Sequence, residues 1–183
     1  AYRQMKELPF YHAFSGKVAR ISTELAERLV GIAPEGLTKV FFANSGSEAN
    51  DSAVKLVWYY NNALGRPEKK KFISRKKAYH GMTVVAASLT GLPFAHGDFD
   101  VPAPRFIHTE SPHYWRGARD GESEEAFAER LAAELERMIL AEGPDTVAAF
   151  IAEPVMGAGG VIVPPATYFE RIQQVLAKYD VLM

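Results

Sequence analysis

The chain of 183 residues contains no cysteine. That excludes disulfides, thiolate catalysis and cysteine-ligated zinc. It has no apolar run long enough to cross a bilayer and no secretory core near its start, so a membrane role is not expected. It has no excess of either charge: 21 Lys and Arg against 22 Asp and Glu give a formal net charge of -1, and nothing global points to nucleic acid. Internal repeats are absent. What is present is ordinary globular material, 48% hydrophobic, long enough for one domain with a real core and short for two. A cytoplasmic location is expected. The chain opens on Ala1-Tyr2-Arg3 and closes on Asp180-Val181-Leu182-Met183, which reads as three residues of a strand with no turn and no partner. The expectation is an excerpt of a longer polypeptide.

Residues 18–30 place Val18, Ile21, Leu25 and Leu29 at helical spacing, closed by Gly31 and Pro34. Residues 38–43 form a short apolar run and read as a buried strand. A long helix is expected over 47–64, a strand over 72–74, a helix over 82–89, a surface loop over 94–104 and a strand over 105–108. An irregular stretch over 111–121 precedes an amphipathic helix over 123–142 with Ser123 as its cap. The continuous apolar run 147–152 suits a parallel sheet, a Gly/Pro-rich loop follows over 156–165, and a last helix covers 167–179. This alternation predicts an α/β fold, a three-layer α/β/α sandwich with a mostly parallel sheet. The organisation expected is a leading segment over 1–35 and one incomplete large domain over 36–183.

In such a fold, ligands sit beyond the carboxyl ends of strands. Three segments occupy that place. Asn44-Ser45-Gly46-Ser47 is a small polar turn that opens a helix, and a helix N-terminus offers free amides and partial positive charge to a phosphate. Taken alone, the turn is explained by a helix cap. It lacks the Gly-Lys-Ser/Thr ending of a P-loop and two of the three glycines of the dinucleotide fingerprint. Tyr79-His80-Gly81 sets an aromatic beside an imidazole, suited to a flat ring; taken alone it reads as a core tyrosine and a surface histidine. Glu153 ends an apolar strand before Gly157-Ala158-Gly159-Gly160, and a carboxylate there needs a partner.

Taken together, in this order and spacing, the segments decide. The run Val40 to Asp51 (Val-Phe-Phe-Ala-Asn-Ser-Gly-Ser-Glu-Ala-Asn-Asp), with Ala78-Tyr79-His80-Gly81-Met82-Thr83 and Ile151-Ala152-Glu153-Pro154-Val155, resembles the class III aminotransferases of fold type I, which use pyridoxal 5'-phosphate (PLP). The resemblance runs through essentially the whole chain. It implies that Ser45, Gly46 and Ser47 hold the phosphate and that Tyr79 stacks on the ring with His80 beside it. Glu153 would lie near the ring and the aspartate that binds it. Ala158 and, in the aromatic segment Phe10 to Phe14, Tyr11 and Phe14 would line the substrate pocket. That segment resembles the amine–pyruvate and ω-amino acid branch. The implied activity is transfer of an amino group from an amine or ω-amino acid to a keto acid such as pyruvate, in a homodimer with its site near the interface. Other members of the family act on 4-aminobutyrate, ornithine or diaminononanoate, or are aminomutases or decarboxylases.

The resemblance also implies two groups that are not found in this sequence: the Schiff-base lysine and the pyridine-binding aspartate of an Asp-Glu-Val type motif. Lys55 lies along a helix, Lys69 to Lys77 read as a solvated edge, and Lys17, Lys39 and Lys178 have no cofactor motif around them. The chain alone is therefore expected to be inactive. Competing readings stand beside this one. A hydrolase using Ser45 or Ser47 with His80 lacks the Gly-x-Ser-x-Gly elbow. A metal site around His108, Glu110 and His113 lacks a helical His-Glu-x-x-His pattern, so no metal is expected. A nucleic-acid binder would use Lys69 to Lys77 and the aromatics Trp58 to Tyr60. A non-catalytic scaffold would keep the phosphate turn without the lysine.

Overall fold

The computed structural model describes residues 1–183. Contacts divide them into two compact units, Ala1–Phe42 and Ala43–Met183. The first holds α1 (Tyr2–Glu7), not foreseen from the sequence, and α2 (Arg20–Ile32). α2 is amphipathic but buries none of its residues; Ile21, Leu25 and Ile32 are exposed. Residues 38–43, expected to be a strand, form none. A strand is defined by a ladder, and no segment of the chain pairs with this one, so Phe41 and Phe42 stay exposed.

The second unit begins with α3 (Gly46–Ala63) and continues through β1 (Lys71–Arg75), α4 (Val84–Leu89), β2 (Phe106–Thr109), α5 (Tyr114–Gly117), α6 (Glu124–Glu142), β3 (Val147–Phe150) and α7 (Tyr168–Lys178). The strands form a parallel sheet in the order β2-β1-β3. The chain end adds a fourth position, contrary to the expectation of a strand without a partner. Leu182 N–H donates to the Ala148 carbonyl at 3.1 Å, and Phe150 N–H donates to that of Leu182 at 2.8 Å.

Two cores make the three layers. On one face Ile73 and Phe150 meet Phe127, Leu131 and Leu135 of α6 and Ile172 and Leu176 of α7. On the other, Phe72, Phe106 and Ala148 meet Val54 of α3 and Leu89 of α4. Each such large side chain contributes about 1.5–3 kcal/mol on leaving water. The sequence explains the alternation: along β1, Phe72 and Ser74 face α3 and α4, while Ile73 serves the α6 and α7 side. Ser123 caps α6 by accepting from Ala126 N–H at 3.2 Å. No helix is long and apolar enough to cross a membrane.

The basic run is less solvated than expected. Lys69 is buried and donates to the Tyr179 carbonyl at 3.0 Å, and its burial lowers its pKa. Lys71 pairs with Glu142 at 2.7 Å. The long aliphatic stems lie along the sheet's amino end while the ammonium groups find carbonyls and carboxylates there.

Candidate functional site

The site is built at the carboxyl end of β1 and the amino end of α3. Ser45 is the N-cap of α3, and its Oγ accepts from Glu48 N–H at 3.2 Å. Glu48 reaches back to accept from Asn44 N–H at 2.9 Å, a reciprocal clasp shifted one residue from the usual capping box. The amides of Gly46 and Ser47 find no acceptor within the protein. A Cβ on Gly46 would meet nothing within 4 Å, so the approach to both amides is open. Two free N–H groups on a helix of 18 residues form an anion seat.

The segment after β1 is fastened to this helix by side chains. Ser47 Oγ accepts from Met82 N–H at 3.1 Å. Asn50 donates to the His80 carbonyl at 2.6 Å. Asp51 Oδ1 accepts from Thr83 Oγ1 at 2.7 Å and from Ala86 N–H at 3.1 Å, which also caps the first turn of α4. Gly81 is required at the crossing: its φ is +126°, and a Cβ there would collide with Ser47 Oγ and lie 2.8 Å from Ala86 Cβ. The roles of Asn50 and Asp51 were not assigned from the sequence. A polar pair one turn into a helix after a phosphate turn is the only signal that would have found them.

Tyr79 and His80 exchange the places that the plain reading of their dipeptide gives them. Tyr79 is 41% exposed, with its ring free to receive a flat ligand, whereas His80 is 7% exposed. His80 N–H donates to Thr90 Oγ1 at 2.9 Å, and its Nε2 has no partner. Burial lowers its pKa to about 4, with Arg75 and His108 adding to the effect and Glu153 opposing it. The imidazole is therefore neutral at physiological pH. His108 is lowered in the same direction, again chiefly by burial, and its ring lies 5.6 Å from that of His96. His80 is thus not the surface histidine that the dipeptide suggested, and His96 and His108 are half-buried. No group of acids and histidines is arranged to hold a metal ion.

Glu153 closes the other side. Its Oε1 accepts from Tyr79 N–H at 3.0 Å and its Oε2 from Gly157 N–H at 3.0 Å. Ala158 lies exposed in the same loop. A Cβ on Gly159 would collide with the Lys77 carbonyl, which is why that loop passes so close to β1. The structure thus brings Ser45, Gly46, Ser47, Tyr79, His80, Glu153 and Ala158 into one unit, at the carboxyl ends of β1 and β3. Tyr11 and Phe14 belong to the other unit, where both are exposed.

Residues 4–183 match the family described as Aminotransferase class-III. The chain belongs to the class III aminotransferases. These enzymes use PLP. A gamma aminobutyrate transaminase 1 of Solanum lycopersicum, named mitochondrial, is 62% identical over 183 residues, all of this chain and 36% of that protein. A probable gamma-aminobutyrate transaminase 2 of Oryza sativa subsp. indica, also named mitochondrial, is 63% identical over 180 residues, 98% of this chain and 36% of that protein. The omega transaminase from Pseudomonas jessenii in complex with PMP superposes with a TM-score of 0.96 at 63% identity, over 99% of this chain and 40% of that one. This class III chain therefore spans 36% of the length of the curated relatives it matches.

Proposed function

We propose that the whole protein is a PLP-dependent transaminase that moves an amino group from an amine or ω-amino acid to a keto acid such as pyruvate. The observation that carries this reading is the hydrogen bond from Met82 N–H to Ser47 Oγ, which fixes the free amides of α3 beside the segment bearing the exposed Tyr79 ring. The residues present fit the cofactor. Gly46 and Ser47 would hold its phosphate through N–H groups, and Ser47 Oγ, already accepting from Met82, keeps its own proton to donate. Tyr79 would stack on the ring. Glu153, bound to the Tyr79 and Gly157 amides, would hold that wall in place. When bound, PLP supplies the electron sink that makes the donor's α-proton removable.

The large domain over 36–183, the adjoining segment 1–35 with Tyr11 and Phe14 near the pocket, and Ala158 near the substrate belong to the same reading. So does a homodimer, supported by the exposed Tyr11 and Phe14 rings; sedimentation checks it, and a monomer overturns it. A cytoplasmic location belongs to the same reading; the plant relatives carry mitochondrial names, and cell fractionation decides.

In this reading the Schiff-base lysine is not among the lysines of residues 1–183. Lys69, Lys70, Lys71, Lys76 and Lys178 are each committed to a carbonyl, an amide oxygen or a carboxylate elsewhere, and Lys55 is exposed on α3. The 183 residues alone are therefore inactive in this reading. The test is a panel of amino donors with pyruvate, run on the whole protein. Turnover with an amine or ω-amino acid supports the reading; none with any donor overturns it. A second reading, 4-aminobutyrate as the preferred donor, is favoured by the names of the curated relatives, and the same panel ranks it.

A further inference from the structure

Arg75 ends β1 with its side chain fully buried. Its guanidinium makes one hydrogen bond, from Nη2 to the Glu153 carbonyl at 2.5 Å, and both Nε and Nη1 are buried without a partner. None of the chain's ion pairs includes it. The rings of Tyr168 and Phe169 flank it, each centroid 5.8 Å from Cζ, and the Tyr168 hydroxyl lies near enough to Arg75 to feel a hydrogen bond from it, yet neither Nε nor Nη1 is met in full hydrogen-bond geometry. Glu153, whose carbonyl Arg75 meets, spends both carboxylate oxygens on the amides of Tyr79 and Gly157. His80, which feels the charge of Arg75, is held neutral. A guanidinium taken out of water with no anion and two unmet donors costs several kcal/mol, and arginine does not escape by losing its proton. The fold as described leaves that cost uncompensated.

We infer that Arg75 is the receptor for a carboxylate supplied from outside residues 1–183, carried by polypeptide that pairs with β3 on the edge opened by Leu182. Three observations give the direction. Nη2 reaches from β1 across to the continuation of β3 at Glu153. The other edge of β3 is already laddered in parallel to Leu182, so a strand continuing that ladder runs toward the level of Glu153. Face parity agrees. Arg75 lies two residues after Ile73, and Val181 packs in the same cluster as Ile73 and Phe150. Every second side chain of a strand on that edge falls on the face of Val181, the face that Arg75 also occupies. Burial and unmet N–H donors select a carboxylate over a neutral acceptor. Arg75 is thus a positioning residue: it ties the incoming strand to the Glu153 carbonyl, and Glu153 holds the Tyr79 amide. None of this depends on the cofactor.

The test is a crystal structure of the whole protein together with Arg75→Gln and Arg75→Lys. A side-chain carboxylate oxygen about 3 Å from Nε or Nη1 is expected. Water, carbonyls or an inorganic anion alone at both nitrogens overturns the inference. Arg75→Gln is expected to lower the melting temperature of the cofactor-free protein, with partial recovery in Arg75→Lys. Neutralising the partner acid in the Arg75→Gln background should cost much less than in the wild type. Equal losses in the two backgrounds overturn the pairing. A wild-type melting temperature that rises with added sulfate or acetate, with no such rise in Arg75→Gln, assigns the partner to a free anion and overturns the polypeptide source. Because these readouts use cofactor-free protein, they stand whether or not transamination is found.

Discussion

Met82 N–H donates to Ser47 Oγ at 3.1 Å, across 35 residues of sequence. One hydroxyl therefore faces two ways. Its lone pair holds the segment after β1 in place, and its proton remains for a ligand at the α3 terminus. Ser47→Ala removes both functions. A hydrogen bond to a charged group contributes about 1.5–3 kcal/mol, so PLP affinity of the whole protein is expected to fall by roughly 10- to 100-fold. The pH optimum of activity should stay nearly fixed, since Ser47 does not titrate in this range. Absorbance titration of cofactor-free protein measures the first, and a pH–rate profile the second. Unchanged affinity would falsify the phosphate seat.

Gly81→Ala probes the same crossing from the backbone. The new methyl would collide with Ser47 Oγ at a φ of +126°, where side chains are strained. Strain of this kind costs about 1–3 kcal/mol before any repacking. Thermal denaturation of the whole protein should show the loss, and PLP affinity should fall with it because Ser47 is displaced. A variant as stable as wild type, with normal affinity, means that the loop relaxes freely and the fastening is not tight.

Asp51 accepts two donors on one oxygen, Thr83 Oγ1 and the Ala86 amide. Asp51→Asn keeps an oxygen at that position and should cost less than about 0.5 kcal/mol, whereas Asp51→Ala leaves the start of α4 uncapped and should cost about 1–2 kcal/mol. Urea titration compares the two. Equal losses would show that charge, not the acceptor, is what α4 requires.

Much of this was legible in the residues, and the failures have physical causes. Ser45 and Ser123 cap their helices because short hydroxyl side chains before apolar periodicity have one cheap use. Residues 38–43 have strand composition but no ladder, since composition does not supply a partner. Residues 181–183 erred the other way: their partner is β3, more than 30 positions earlier and invisible to local reading. Tyr79 and His80 exchanged places because the backbone bond from His80 N–H to Thr90 and the packing around β1, not hydropathy, decide which of the two side chains turns inward. Lys69 is buried because its ammonium finds the Tyr179 carbonyl 110 residues away. The site residues came from joint spacing of three segments; Asn50, Asp51 and Arg75 act across the fold and left no such pattern.

His80 gives the chain a pH signature with a definite sign. Its folded pKa is about 4 against an ordinary 6.5, lowered by burial first and then by Arg75 and His108, with Glu153 opposing. Between these values the unfolded chain binds a proton that the folded one refuses. Stability from this residue is therefore fully present above pH 6.5 and is lost as pH falls toward 4, by roughly 3 kcal/mol at most. His108 is shifted in the same direction, so wild-type stability alone does not isolate His80. Comparison with His80→Asn does. The variant loses stability at pH 7.5, where the neutral ring packs well, and should show a shallower decline between pH 6.5 and 4.5 in urea titrations. Parallel declines in the two proteins would move the effect to His108 or to the carboxylates.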